Sequence, residues 1–331
     1  MSTSINKRNR RGSALLAVLW LSAILAAIAF SLATTVRGEA ERASTGVEST
    51  RSYYLATGAV QRAILYMLWG PQQLGPDGKP KLAANAAFLN LPFPSGETTV
   101  EIIPEASKFN INTTPPEDLF RLLVNLGVNP DRARTIAVAI VDWRTPSPQG
   151  SPFDDHYLSL SPSFRAHHAS LEEIEELLLV EGMTPDIYYG SYETVPQAQG
   201  PARLVPRAGL SDCVSVWSPS NGFDVNSAAP PVLATLGLPP DLIAEIVQRR
   251  RVQPLGAPEL GRIIQVAGPQ ASRLKIGGNT VFTVRATARL RLPNGQLSDL
   301  KRSVAAMVKI MPAGYDAPYH ILRWYENAWS H

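Results

Sequence analysis

The sequence predicts an α+β fold: a long N-terminal helix packed on an antiparallel sheet, with a large, mostly α-helical insertion that contains helix-hairpin repeats. Three observations predict it. An unbroken apolar run from Ser13 to Val36 passes into helical periodicity as far as Trp69. Strand-like segments, Thr98 to Ile103 and Thr280 to Met311, stand far apart, the second around a tight-turn signal. The helix-rich stretch between them partly repeats itself.

The apolar run holds about 24 residues without a charge, and a helix needs about 20 to cross the hydrocarbon core. Lys7, Arg8, Arg10 and Arg11 precede it and no acid occurs before Glu39, so the leader is expected to stay on the cytoplasmic side. A secretory signal would carry its small-residue cleavage site beyond a shorter apolar core. Here the small residue, Gly12, stands before the run. The segment thus divides into a leader, 1–12, and a transmembrane part, 13–36; an uncleaved signal anchor would show the same basic flank and span.

Beyond the membrane part, Ala56, Val60, Ala63 and Met67 share one helical face, with Arg51 and Arg62 off it. Gly38, Gly46 and Gly58 each weaken a helix by up to about 1 kcal/mol relative to Ala, which predicts bending or fraying between anchor and folded part. Gly70-Pro71 ends the helix.

Residues 71–97 are rich in Gly, Pro and Asn and read as an excursion. Thr98 to Ile103 alternates as a strand. Thr280 to Leu292 and Leu297 to Met311 flank Pro293-Asn294-Gly295, a hairpin signal too short for a crossover, so the sheet is antiparallel. Cys213 to Trp217 is a further candidate strand for that sheet. Residues 37–107 and 276–331 then form one α/β domain, interrupted by a helical insertion at 108–275.

Within the insertion, Phe109-Asn110-Ile111-Asn112-Thr113-Thr114-Pro115-Pro116 is echoed by Phe223-Asp224-Val225-Asn226-Ser227-Ala228-Ala229-Pro230-Pro231. Asn112-Thr113 and Asn226-Ser227 are helix-cap types, and each Pro suits a first helical turn. Leu119, Leu122 and Leu123, answered by Val232, Leu233 and Leu236, supply apolar faces. Each copy is predicted to fold as a helix hairpin.

Such hairpins can grip a phosphate backbone through turn amides, usually with a Gly-x-Gly turn and a basic surround. The turns here read Leu126-Gly127-Val128-Asn129-Pro130 and Leu236-Gly237-Leu238-Pro239-Pro240. Residues 109–145 and 223–262 each carry four acids and four bases, and Leu171 to Asp186 carries six acids and no base. Removing the four basic leader residues takes the net charge from +3 to −1, so the basic balance is no argument for nucleic acid. A hydrophobic content of 45% with six Trp suffices for a core.

Cys213 is the single cysteine, so it forms no intrachain disulfide and reads as a buried small hydrophobe. His156, His167, His168, His320 and His331 lack metal-ligand spacing, with His167-His168 read as exposed, and no nucleophile-elbow or phosphate-loop pattern occurs. The chain is not expected to be an enzyme, and no catalytic residue is named.

Arg10-Arg11-Gly12-Ser13-Ala14-Leu15-Leu16-Ala17-Val18-Leu19-Trp20 resembles the prepilin type of leader, which a membrane peptidase cuts after the glycine. By that resemblance Gly12 and Ser13 flank the processing point. Most pilin-like proteins carry a Glu at the position of Ala17; its replacement by an apolar residue is a feature of the type II secretion minor pseudopilin K family. A lone carboxylate in the bilayer costs several kcal/mol, so a subunit with none above it gains nothing from keeping one.

Lys108-Phe109-Asn110-Ile111-Asn112, the acidic segment Leu171 to Thr184, the second Asn-Ser-Ala-Ala-Pro and Tyr319-His320-Ile321-Leu322-Arg323-Trp324 together resemble the same family over nearly the whole chain. The resemblance implies a pilin-like fold with a helical insertion and a single-pass anchor in the bacterial inner membrane with the C-terminal part in the periplasm. It implies a place at the pseudopilus tip, helping to start assembly. Its partners would be minor pseudopilins I and J, the major pseudopilin, the inner-membrane secretion platform and the prepilin peptidase. The alternative is a membrane-anchored, nucleic-acid-binding minor pilin of a DNA-uptake system.

The family resemblance also implies calcium, held by carboxylates in an acidic loop after an Asp-Trp pair. Here Asp142-Trp143 is followed by Thr145 and Ser147, and carboxylates return at Asp154 and Asp155. Calcium takes six to eight oxygens, which Asp142, Asp154 and Asp155 with carbonyls would supply; the same residues read equally as a helix terminus with solvated acids.

Overall fold

Helix α1 runs from Arg10 to Trp69 in the computed structural model, which describes residues 10–74, 78, 87–195, 202–219 and 222–328. Leader residues 1–9 and much of 71–97 lie outside the described residues. From Ala14 to Val36 the helix is exposed on every side, and it is the one described helix long and apolar enough to cross a membrane. Its last turns are different: Leu55, Ala56, Ala59, Val60, Ala63 and Ile64 are buried against a sheet. Of the bending or fraying expected at Gly38, Gly46 and Gly58, fraying is absent, because α1 is continuous through all three. A helical glycine costs backbone entropy but keeps its N–H and C=O, so the ladder of hydrogen bonds survives it.

The sheet has five strands, β1 (Phe88–Phe93), β2 (Gly96–Pro104), β3 (Val281–Leu290), β4 (Arg302–Ile310) and β5 (Tyr319–Tyr325), all antiparallel to their neighbours in chain order. Val100 faces Ala286 and Ala306 faces Val284 across the strands. Strand alternation brings Val284, Ala286, Ala288, Val304, Ala306 and Val308 onto the face that meets α1. The alanines let backbone approach backbone. Gly96 shows how close the packing is: a Cβ there would stand 2.9 Å from the Leu55 side chain on α1 and 2.2 Å from the Arg289 carbonyl oxygen on the neighbouring strand. In β4, Ala305 and Met307 on the opposite face are buried too, so the middle of this strand is covered on both sides.

Strand β1 falls where an excursion was expected. It carries Pro92, and only Leu91 is buried, so neither alternation nor composition marks it. As an edge strand it tolerates the missing donor. Arg62, predicted off the packed face of α1, secures it: the guanidinium donates to the Tyr66 hydroxyl at 2.8 Å and lies 5.4 Å from the Phe93 ring centroid. The hairpin after β3 is present, with Gly295 at φ +84° and an Arg291–Leu297 bridge.

The chain between β2 and β3 is the helical insertion. Cys213 to Trp217 does not join the main sheet: Val214–Ser215 pairs in parallel with Phe109–Asn110 instead, as Phe223–Asp224 does with Leu274–Lys275. Both two-residue pairs close the insertion on itself. Cys213 is buried and free, and burial pushes its thiol pKa well up, as an inert apolar residue requires. Helix and sheet form one core and the insertion a second.

The alanine seam sets the stability of the first core. Ala59→Leu is expected to destabilise the chain by about 1–3 kcal/mol through overpacking, lowering the thermal midpoint of the detergent-solubilised protein; Ala26→Leu, on the exposed stretch, should leave that midpoint unchanged.

Candidate functional site

Proline and asparagine shape the insertion. Helices α2 (Pro116–Asn125) and α3 (Pro130–Arg144) form one hairpin; α6 (Pro230–Thr235) and α7 (Pro240–Val252) form another. Between them lie α4 (Asp154–Ser159) and α5 (Pro185–Tyr189), and α8 (Ala257–Ala267) follows. Each hairpin turns at a glycine with positive φ, Gly127 at +74° and Gly237 at +82°. Leu119, Leu122, Leu123, Val232, Leu233 and Leu236 are fully buried in a shared core.

The asparagines predicted as helix caps do something else. Pro115 and Ala229 occupy the cap positions with no side-chain bond. Asn112 instead clasps a remote segment: its Nδ2 donates to the Leu171 carbonyl at 2.9 Å and its Oδ1 accepts from the Leu171 amide at 2.8 Å. Asn226 does the same to Leu255, at 3.1 and 2.7 Å. Prolines in the first turns leave fewer amides that need a cap, which frees both side chains.

Arginine completes each copy. Arg144 donates to the carbonyls of Ile111 and Thr114, and Arg250 to those of Val225 and Ala228, the equivalent places in the repeat. The copies also hold each other. Phe109 and Phe223 meet at a tilt of 58° with centroids 4.5 Å apart, and Arg273 lies over both rings while pairing with Asp118 at 2.7 Å.

The acidic segment is a 3-10 turn, Ile174–Leu179, preceded by a Glu173–Glu176 capping box. Glu176 also accepts from the Trp143 indole at 3.3 Å, and Glu173 pairs with Arg323 on β5. Two motifs about 150 residues apart in the sequence therefore meet, tying insertion to sheet. At the root of the insertion, the buried pair Lys108–Glu105 (3.2 Å) and a bond from Thr283 to Glu105 (2.7 Å) add to that attachment.

At the other sequence-predicted positions, Gly12 and Ser13 lie in the first turns of α1 and Ala17 is exposed among apolar neighbours. Asp142 and Asp154 come together; Asp155 is exposed on α4. Asp142 accepts from the Ser151 hydroxyl, and Asp154 from the Ser151 amide at 2.9 Å. His168, read as exposed, is instead largely buried between the two aspartates, its Nε2 3.0 Å from Asp154 Oδ1. Nothing in the sequence marked it, since its partners lie 26 and 14 residues away. Burial pulls its pKa down, but bonds to Asp154 and the Asp142 carbonyl, with both carboxylate charges, outweigh this and leave it raised. Asp154 is lowered by the Ser151 amide and by His168.

These residues do not fit calcium. The space between the two carboxylates holds an imidazole whose nitrogens face the oxygens, and among the described residues no group of three or more His, Cys, Asp or Glu is placed to hold a metal.

Comparison with known proteins places the insertion. Residues 105–190 match the family described as Type II secretion system (T2SS), protein K. That stretch of the chain is similar to a protein K domain. Type II secretion system protein K of Pectobacterium carotovorum subsp. carotovorum is 29% identical over 203 residues, covering 55% of this chain and 61% of that protein. The Klebsiella pneumoniae protein of the same name is 27% identical over 198 residues, covering 54% and 60%. The chain thus spans about three fifths of these curated relatives. A chain of the crystal structure of the GspK-GspI-GspJ complex from the enterotoxigenic Escherichia coli type 2 secretion system shares the fold, with a TM-score of 0.55 and 17% identity, over 87% of this chain and all of that one. The resemblance read from the motifs, and the α+β fold class with it, are borne out.

The two clasps give a direct test of the repeat. Asn112→Ala and Asn226→Ala each strand a Leu amide and carbonyl, and each is expected to cost about 1–3 kcal/mol. Hydrogen exchange should quicken at Leu171 in the first variant and at Leu255 in the second.

Proposed function

We propose that this chain is a minor pseudopilin of a type II protein secretion system. It is anchored in the bacterial inner membrane by the first part of α1, carries its folded part in the periplasm, and sits at the pseudopilus tip, where it helps to start assembly. One observation carries the reading: a stretch matching the protein K family is inserted between two strands of a sheet that packs on the continuation of an exposed apolar helix. Apolar stretch and folded part are thus joined by one continuous helix rather than by a linker. Lateral packing of exposed apolar helices gives a filament its core, and a bulky insertion on one subunit leaves no room for another stacked above it. An apolar Ala17 suits that terminal place, since no neighbour's N-terminus would need a carboxylate there.

The structural relative comes from a complex of GspK, GspI and GspJ; the same kinds of minor pseudopilin are proposed as partners here. The major pseudopilin, the secretion platform and a prepilin peptidase cutting between Gly12 and Ser13 belong to the same reading. No catalytic step is assigned. Nucleic-acid binding is disfavoured, because Arg144 and Arg250 at the ends of α3 and α7 are spent on loop carbonyls.

Two experiments test this. Mass spectrometry of the membrane-extracted protein should find an N-terminus at Ser13 only in cells with prepilin peptidase; an intact Met1 in both backgrounds would remove the chain from the pseudopilins. Deleting residues 109–275 should abolish pseudopilus initiation and secretion while α1 still inserts, and normal secretion by that variant would refute the tip role.

A further inference from the structure

The loop between α3 and the acidic segment leaves the helix at Thr145 and returns at Ala169, whose amide donates to the Trp143 carbonyl at 3.2 Å. Inside it, Tyr157 is fully buried, stacked on Phe164 at 5.3 Å and edge-on to Trp143 at 5.4 Å. Something must hold the loop over these rings, because its own secondary structure is a helix of six residues.

His168 stands where the loop returns. Its backbone has φ +45°, the one positive value at a non-glycine among the described residues, and its side chain is 14% exposed. His is one of the few residue types tolerated there. Nδ1 faces the Asp142 carbonyl oxygen at 3.3 Å and Nε2 faces Asp154 Oδ1 at 3.0 Å. Both partners present an oxygen to the ring, so the imidazole bridges the Asp142 backbone and the Asp154 carboxylate. Asp142 Oδ2 is buried without a hydrogen bond and lies 3.9 Å from Nδ1.

We propose that the His168 ring occupies the structural place of a divalent cation, clasping Asp142 and Asp154 and closing the 145–168 loop over Trp143, Tyr157 and Phe164 without metal. A buried polar group needs a partner, and the ring offers one at each of its two nitrogens. His168 is therefore a positioning residue.

The test uses the full chain in detergent, with calcium as the probe. Calorimetric titration of the unaltered protein is expected to show no calcium uptake, and neither calcium nor a chelator should alter its proteolysis. His168→Ala should be cut within 145–166 about ten-fold faster or more, the scale of losing hydrogen bonds to charged groups, with or without calcium. His168→Asp puts a third carboxylate beside the other two, with a residue type that also accepts positive φ. This variant should take up calcium and be protected by it. Stoichiometric calcium uptake by the unaltered protein would overturn the proposal, as would an unchanged cleavage rate in His168→Ala. Should His168→Asp take up no calcium at millimolar concentration, the ring does not stand in a cation's place and the proposal fails.

Discussion

Close approach between one helix and one sheet governs the molecule. Ala56, Ala59 and Ala63 lie on α1 where Ala286, Ala288 and Ala306 lie on the strands, all buried. Small residues on both sides bring backbone near backbone, and dispersion over the seam replaces larger side chains. Because α1 is continuous up to that seam, one helix carries both the exposed apolar stretch and the face that packs on the sheet.

The insertion depends on the sheet at its root and again far from it. Chain entropy would let a long excursion sample many orientations, so several cross-links of different kinds are needed. The buried Lys108–Glu105 pair holds the root and the Glu173–Arg323 pair holds the outer part to β5. Burial of Ala305 and Met307 on the far face of β4 adds apolar contact. Inside the insertion each repeat copy uses the same devices in the same order: a short parallel pair, an asparagine clasp and an arginine across loop carbonyls. Such directional bonds specify register more than they add stability, since each contributes about 1 kcal/mol net but is costly to leave unmade.

The sequence made some of this legible and hid the rest, for physical reasons. Long-period signals came through: the apolar span, the face of α1 through Ala56, Val60 and Ala63, the hairpin around Gly295 and the leucine faces of the repeat. Glycine propensity at positions 38, 46 and 58 pointed to fraying that does not occur, because a weak local cost does not break a continuous hydrogen-bond ladder. Strand β1 was hidden because an edge strand buries one side chain and tolerates Pro92. Asn112 and Asn226 were recognised as important residue types but given a local role. Their partners lie 59 and 29 residues away, and no spacing rule reaches that far. Of the aspartates marked for a cation, Asp142 and Asp154 do converge, yet the ring between them is that of His168, which looks in sequence like one of two adjacent surface histidines.

Charge placement separates scaffold from surface. Three arginines of the insertion are turned inward, Arg144 and Arg250 across loops and Arg273 over Phe109 and Phe223, while Arg132, Arg134, Arg249 and Arg251 are exposed. An arginine committed to carbonyls or ring faces in a half-buried setting has few donors left for an outside phosphate. The hairpins, whose outline suggests a grip on nucleic acid, spend these inward arginines on their own packing. The exposed apolar length of α1 needs lipid or other helices around it, which is what the minor-pseudopilin reading proposed above requires.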